Sequence, residues 1–509
     1  MKRKKSTDNI QINEIPVNEP KRKQNAGPES RGGRNKDMMK VAYLFAAMFF
    51  MLIGYLVYFN TIKADTINSN VNNTKQDAQA QKIVRGAIIS SDGETLAGTN
   101  VDAEGNEERL YPYENMFAHV VGYASNGKAG VESTSNFDLL TSHASILEQV
   151  QNEANHEKVR GDSVVLTLDT RLQTAAYNAM GVYKGAVVVM EPSTGKILAM
   201  VSKPDFNPNT ISSDWDTLVS DETNSSLLNR AVQGLYPPGS TFKIMTALEY
   251  LREHPDYQNY SYNCTGSISK EDVTITCFGG EAHGQVNLAD SFKYSCNSSF
   301  ANMGLELDNN AFRSLCEDFM FNNTLPISME ASSSRFELNE HTSYGEEMAT
   351  AIGQGNTLVT PLHMALITST VANSGTLMKP YIIDRLETFD GDKVKDNKPE
   401  VYKELMSAQE AGILSDFMTQ VVEGGTAKSL SGLGYTVAGK TGSAEYEIGS
   451  NAADKGTHSW FVGFSNVSSP DIVVSVIAED GGTGSSAAVP IAQAIFDAYY
   501  NNGMNMTNN

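Results

Sequence analysis

The stretch Tyr236-Pro237-Pro238-Gly239-Ser240-Thr241-Phe242-Lys243 sets a hydroxyl and an amine three residues apart, just ahead of a run from Ile244 to Leu251 that holds no helix breaker. The prolines and the glycine mark a turn. The run after them predicts a helix, with Ser240 in its first turn and Lys243 on the same face. A serine and a lysine placed so are the parts of a nucleophile with its own base, and the positive end of the helix favours the alkoxide as it develops. The spacing alone is cheap. It recurs from Ser125 to Lys128, Ser193 to Lys196 and Ser267 to Lys270, each in Gly-rich or polar sequence that reads as a turn.

Two downstream motifs give it weight. Ser295-Cys296-Asn297 sits between short helical stretches, and Lys440-Thr441-Gly442 ends a strand. Ser-x-Asn recurs at Ser261-Tyr262-Asn263, but Lys-Thr-Gly occurs once. Three motifs in this order, each on the element its chemistry needs, are not accidental.

The elements that must position them follow from the chain in order. A length of 509 residues allows two to four domains and a large core. Residues 1–40 hold 11 basic and 5 acidic residues, while the whole chain carries −21. The acidic body excludes nucleic acid as a partner. The basic, Pro- and Gly-scattered tail at 1–40 predicts disorder and a cytoplasmic N-terminus. Val41 to Phe59 is uncharged and spans about 28 Å as a helix, which predicts an uncleaved transmembrane anchor at 41–59 rather than a signal peptide. Residues 60–82 read as a polar linker. Ile83 opens a small segment, 83–157, in which Asp92-Gly93 turns between two strands and a helix runs from Ser142 to Gln151.

A composition change near Arg160 opens the main domain, 158–500. Strands are expected at Ser163 to Leu168, Gly185 to Met190 and Lys196 to Val201, with a helix at Thr170 to Met180 between the first two. The apolar hairpin 185–201 predicts the centre of an antiparallel sheet. Helices dominate from Ser240 to Leu386, among them Leu288 to Lys293, Ser298 to Leu307 and Pro361 to Ala372, and another follows at Ala408 to Val422. Strands return at Thr436 to Thr441, Ser459 to Phe464 and Ile472 to Ile477, and a helix from Ala488 to Tyr500 closes the domain before an Asn-rich, frayed tail at 501–509. Strands at both ends with helices between predict an α+β fold: one antiparallel sheet flanked by helices, a helical subdomain beside it, and a cleft at their junction.

With four cysteines, no Cys-x-x-Cys and no His cluster, the sequence predicts no metal and no cofactor. Cys264 and Cys277 flank a short polar segment and could pair, whereas Cys296 and Cys316 read as buried thiols.

On the three motifs the main domain resembles the penicillin-binding transpeptidases. Thr167-Leu168-Asp169, Met190-Glu191-Pro192, His283-Gly284, Gly353-Gln354-Gly355, Thr360-Pro361-Leu362, Gly425-Thr426-Ala427 and Trp460-Phe461-Val462-Gly463-Phe464 are also similar to that family's pattern. The segment from Arg85-Gly86 to Asp92-Gly93 resembles the pedestal of its class B, monofunctional members, and 60–157 is too short for the glycosyltransferase of class A. The resemblance covers about 83–500. It implies a peptidoglycan D,D-transpeptidase. Ser240 attacks the penultimate D-Ala of a D-Ala-D-Ala stem peptide, Lys243 takes its proton, and Ser295 relays that proton to the leaving amine. Asn297 holds the donor amide. Lys440 and Thr441 bind the terminal carboxylate, Gly442 lets substrate approach the strand, and the backbone N–H groups of Ser240 and Ser443 form the oxyanion hole. The acceptor is the amine of a second stem peptide, β-lactams are covalent inhibitors, and a SEDS-type membrane glycosyltransferase is the implied partner in cell-wall synthesis, whether in elongation, division or sporulation. The alternatives are a membrane-anchored β-lactamase, for which Glu337 in Arg335-Phe336-Glu337-Leu338-Asn339 would be the water-activating group, and a β-lactam sensor. His283 reads as structural and Trp460 as lining the sheet beside the Lys440 strand.

Overall fold

The computed structural model describes residues 31–59, 81–155, 157–447 and 455–501. The expectations for the tail before Arg31, for most of the linker and for residues 502–509 lie outside them. The chain divides into two units, Met1–Asn68 and Ser69–Asn509.

In the first unit, helix α1 (Arg31–Tyr58) contains a 21-residue span, Met38–Tyr58, of mean hydropathy 2.1. That is long and apolar enough to cross a membrane.

The second unit carries two main sheets. One has six strands. It starts with Ile88–Ile89 and Thr95–Val101, joined by the Asp92-Gly93 turn, and continues with Glu107–Leu110. Gly93 has φ +90°, which explains the glycine. The other three strands, Ser163–Leu166, Ile383–Glu387 and Lys393–Asp396, come from beyond residue 157, so this sheet crosses the division expected at 157/158. Beside it Glu132 is wholly buried and held by Arg85 at 2.6 Å and Arg109 at 2.7 Å. The helix expected at Ser142 to Gln151 runs from Ile146 to Asn155 instead. Asp162 accepts hydrogen bonds from the His143 backbone N–H at 2.9 Å and from its ring at 2.5 Å, which holds the preceding residues out of the helix.

The other sheet, of five strands, supports the motifs. Helix α2 (Thr170–Met180) is capped by Asp169, whose carboxylate accepts from the N–H groups of Arg171 and Leu172. Strands β1 (Gly185–Met190) and β2 (Ile197–Lys203) follow, then helices α3 (Lys243–Glu253), α4 (Asn297–Gly304), α5 (Pro361–Ala372) and α6 (Ala408–Gly424). Strands β3 (Val437–Glu447), β4 (Lys455–Ser465) and β5 (Val473–Ala478) and helix α7 (Ala488–Asn501) complete it. The order is β3-β4-β5-β1-β2, antiparallel throughout.

The β1–β2 hairpin is therefore at one edge and β5 is central, contrary to the expectation. The hairpin is apolar because both faces are covered: α2 and α7 pack together on one side, and α5, every residue of which is buried, on the other. The exposed side of β2 is sealed by a side chain. Buried Gln173 donates to Met200 O and accepts from Met200 N, both at 2.8 Å, so its amide stands in for a neighbouring strand.

Candidate active site

The serine turn comes first. Gly239–Phe242 form a 3-10 turn that runs directly into α3, so Ser240 lies one turn before the first α-helical residue, Lys243. Three contacts pin the turn. Gly239 N–H donates to Gly353 O at 2.8 Å, Trp460 Nε1–H donates to Pro237 O at 3.1 Å, and Thr241 Oγ1 donates to Pro238 O at 2.7 Å. The first contact needs two glycines. Gly239 has φ +54° and Gly353 φ +78°, and a Cβ on Gly353 would fall 2.0 Å from Gly239 O.

Lys243 projects from the start of α3 toward the second motif. Its Nζ donates to Ser295 O at 2.7 Å, Ser295 Oγ at 3.2 Å and Asn297 Oδ1 at 2.7 Å. From β3, Lys440 Nζ reaches the same Ser295 Oγ at 2.8 Å and its own neighbour Thr441 O at 3.1 Å. One hydroxyl thus lies between two amines delivered by separate elements. Ser295 itself has φ +57°, a conformation a serine rarely adopts and one that the surrounding contacts must hold. Asn297 opens α4, and its Nδ2 donates to Thr276 O at 3.0 Å.

Both lysines are wholly buried. Burial pushes Lys243 down from the ordinary lysine range to about 7, opposed in part by the sulfurs of Cys296 and Cys277. Lys440 is held well below its usual value by burial and then by the charge of Lys243. Two amines sharing one hydroxyl in a desolvated site disfavour each other's proton, so one of them is readily neutral.

The third motif forms the other wall. Gly442 pairs with Trp460 across β3 and β4, and a Cβ on it would stand 3.0 Å from both Pro238 O and Trp460 Cβ. Thr441 Oγ1 meets Thr426 Oγ1 at 2.5 Å, and Ser443 Oγ accepts from Gly484 N at 3.3 Å. The cleft between these walls has a volume of about 760 Å³, and Ser240, Ser295, Asn297, Thr441 and Ser443 line it. The site thus sets a serine hydroxyl at the cleft on the turn that leads into a neutralisable amine, with a second amine at a strand end.

The structure brings Ser240, Lys243, Ser295, Asn297, Lys440, Thr441, Gly442 and Ser443 to one place. The repeats of the first motif fall elsewhere: Ser193 and Lys196 lie in the β1–β2 turn, and Ser267–Lys270 is a strand of a two-stranded hairpin. Glu337 is exposed and is not part of the cleft lining. Sequence reasoning missed the fully buried Trp460 as the anchor of the serine turn; its register opposite Gly442 was the available signal only once β3 and β4 were paired. It also missed a grouping of Cys264, Cys277, His283 and Cys296, whose ligand atoms all lie within 4.8 Å of one another. All four cysteines are free thiols, Cys264 and Cys277 included.

Known proteins resemble this chain over nearly its whole length. Residues 185–497 match the penicillin binding protein transpeptidase domain, and residues 85–164 match the penicillin binding protein A dimerisation domain. The peptidoglycan D,D-transpeptidase PbpA of Mycolicibacterium smegmatis is 30% identical over 499 residues, spanning 92% of this chain and 100% of that protein. The D,D-transpeptidase domain of a peptidoglycan glycosyltransferase from Eggerthella lenta superposes with a TM-score of 0.74 at 30% identity, covering 83% of this chain and 100% of that one. Penicillin-binding protein A of M. tuberculosis, solved as a penicillin G acyl-enzyme complex, gives 0.74 at 28% identity, with 82% and 100% covered.

Proposed function

This chain belongs to the penicillin-binding protein transpeptidases, and from that premise we propose that Ser240 is the nucleophile of a class B peptidoglycan D,D-transpeptidase, with Lys243 as its base. The observation that carries the reading is the meeting of Lys243 and Lys440 on Ser295 Oγ, at 3.2 and 2.8 Å, beside the turn that presents Ser240.

Neutral Lys243 takes the Ser240 proton as Oγ bonds to the carbonyl carbon of the penultimate D-Ala. A lysine at its ordinary value would cost about 4–5 kcal/mol to neutralise at pH 7, and a value near 7 removes most of that. Ser295 then passes the proton from Lys243 to the departing D-Ala nitrogen as the C–N bond breaks. Lys440 and Thr441 bind the terminal carboxylate, whose charge compensates a proton on Lys440 that burial alone disfavours. Asn297 has one Oδ1 partner and one Nδ2 partner in the protein and keeps a second N–H for the donor amide. The N–H groups of Ser240 and Ser443 receive the developing oxyanion. The amine of a second stem peptide attacks the acyl-enzyme and regenerates Ser240. β-Lactams acylate the same serine.

The division into an anchor at 41–59, a pedestal at 83–157 and a catalytic domain at 158–500 belongs to this proposal, as does an N-terminus in the cytoplasm, supported by 11 basic against 5 acidic residues before the apolar span. A SEDS-type membrane glycosyltransferase as partner rests on the family resemblance, and co-purification from membranes tests it.

The central test is intact-mass spectrometry of the full-length protein in detergent with benzylpenicillin, beside Ser240→Ala. The expected result is a one-to-one adduct that persists for tens of minutes in the wild type and is absent from the variant, together with D-Ala release from a D-Ala-D-Ala donor when an acceptor amine is present. Rapid turnover of the drug instead would make the protein a β-lactamase and return Glu337 to consideration.

A further inference from the structure

Behind the Ser295-Cys296-Asn297 turn, four side chains converge from four points of the chain. Cys264 ends the strand Tyr262–Cys264, Cys277 follows Val273–Thr276, His283 precedes Gly284–Val286, and Cys296 lies between two active-site residues. The three sulfurs are buried and His283 is half-buried.

Their distances fit one chemistry. A disulfide requires sulfurs about 2.0 Å apart, but Cys264 and Cys277 stand at 3.7 Å and Cys277 and Cys296 at 3.8 Å. A tetrahedral zinc with Zn–S near 2.3 Å and Zn–N near 2.0 Å has S···S edges of about 3.8 Å and S···N edges of about 3.5 Å. Cys264 Sγ lies 3.3 Å from His283 Nδ1. Three edges of such a tetrahedron are thus already formed. The hydroxyl of Ser298, wholly buried, lies 3.1 Å from Cys264 Sγ and 3.4 Å from the sulfurs of both Cys277 and Cys296. That is the placement of an outer hydrogen-bond donor to metal-bound thiolates.

The surrounding strands are short, and Ile268, Val273 and Ile275 on one hairpin pack against the main core. Residues 262–286 form two two-stranded sheets of three or four residues per strand, and such hairpins are marginal by themselves. The buried apolar group that holds them to the turn consists of Cys264, Cys277 and Cys296, with Tyr262 packed on it.

We propose that Cys264, Cys277, His283 and Cys296 bind one zinc-type divalent cation, and that the bound cation fixes the turn carrying Ser295 and Asn297. Three sulfurs and one imidazole select a borderline-soft metal over magnesium or calcium, and four protein ligands leave no open position, so the site is structural. Binding releases the three thiol protons to solvent and leaves a cluster of net charge −1. The lever on catalysis is short. Asn297 Nδ2 donates to Thr276 O, so Cys296 and Cys277 flank the contact that orients Asn297, and one metal holds both ends of it.

The test uses the full-length chain purified in detergent without chelator. Elemental analysis is expected to find one zinc per chain. After chelation, titration with Co²⁺ should give thiolate-to-cobalt charge transfer and the intense visible bands of a four-coordinate site, and zinc should displace them. Cys277→Ser should lower metal content to about a tenth or less, while Cys316→Ala, outside the group, should keep it. Labelling of Ser240 by a fluorescent penicillin should slow about tenfold or more in zinc-free protein and recover on adding zinc. Absence of stoichiometric metal with no cobalt bands, or a Cys264–Cys277 disulfide in the protein as isolated, overturns the site. Unchanged labelling of zinc-free protein overturns the positioning role. If Cys277→Ser does not fold, the cobalt spectrum of the wild type decides the question.

Discussion

Replacing Gly353 by alanine should displace Ser240, the proposed nucleophile, without altering any group assigned a part in the reaction. Gly353 O accepts the Gly239 N–H at 2.8 Å, and the added Cβ would lie 2.0 Å from Gly239 O, 2.7 Å from Gly239 C and 2.8 Å from Phe242 Cβ. Two of these neighbours are backbone and the third is in the same turn, so no flexible side-chain end can yield. Reaching an ordinary contact of about 3 Å or more demands a shift of about 1 Å in the turn that carries Ser240. Three costs follow: about 1 kcal/mol for alanine at φ +78°, about 1 kcal/mol for the weakened hydrogen bond, and about 1–3 kcal/mol for the overpacked contact. A shift of about 1 Å in a reacting group costs about 100-fold in rate.

The assay is the second-order rate of labelling by a fluorescent penicillin, with a thermal melt on the same sample. Gly432→Ala is the control. Gly432 has φ +76° but nothing lies within 4 Å of its added Cβ, so this variant carries the backbone strain without the collision. It should lose about 1 kcal/mol of stability and label at the wild-type rate. Gly353→Ala should label about 100-fold more slowly at temperatures where it remains folded. If it labels within about threefold of wild type, the contact does not position Ser240 and the reasoning fails.

Two further predictions follow from the geometry. Because burial lowers Lys243 to about 7, its neutral fraction grows as pH rises through that value; penicillin labelling should increase about tenfold from pH 6 to pH 8 and then level off. A rate still climbing tenfold per unit above pH 9 would mean that the base keeps an ordinary lysine value. Gln173→Leu should destabilise the protein by about 2–4 kcal/mol, since it strands both backbone groups of Met200 at the β2 edge; with Ser240 untouched, the folded variant should label normally, and a melt unchanged from wild type would refute the sealing role.

Local chemistry was legible in the sequence wherever the signal was local. The helices at Thr170–Met180, Leu288–Lys293 and Pro361–Ala372 have the expected bounds because each begins at a side chain that caps it, Asp169, Asn287 and Thr360. The apolar span near the N-terminus and the three motifs that meet at the cleft were equally plain, because charge, hydropathy and the Ser-x-x-Lys, Ser-x-Asn and Lys-Thr-Gly spacings are carried by neighbouring residues. Tertiary structure decided what depends on partners far along the chain. The strand at Thr436 to Thr441 extends to Glu447 because Gly442, Ser443 and Ala444, poor strand formers, are paired with Trp460, Ser459 and His458. The β1–β2 hairpin went to the edge because its unbroken apolar run reports only that both faces are covered, and is silent about the outer edge of β2, whose backbone groups at Met200 a buried glutamine satisfies as well as a strand would. Lys440 and Ser295 are 145 residues apart, and the depressed values of both lysines arise from burial that neither motif contains. Cys264, Cys277, His283 and Cys296 follow no regular metal spacing; only the folding of two short hairpins against the Ser295 turn brings their ligand atoms within 4.8 Å, since spatial proximity across loops is set by strand register rather than by sequence distance.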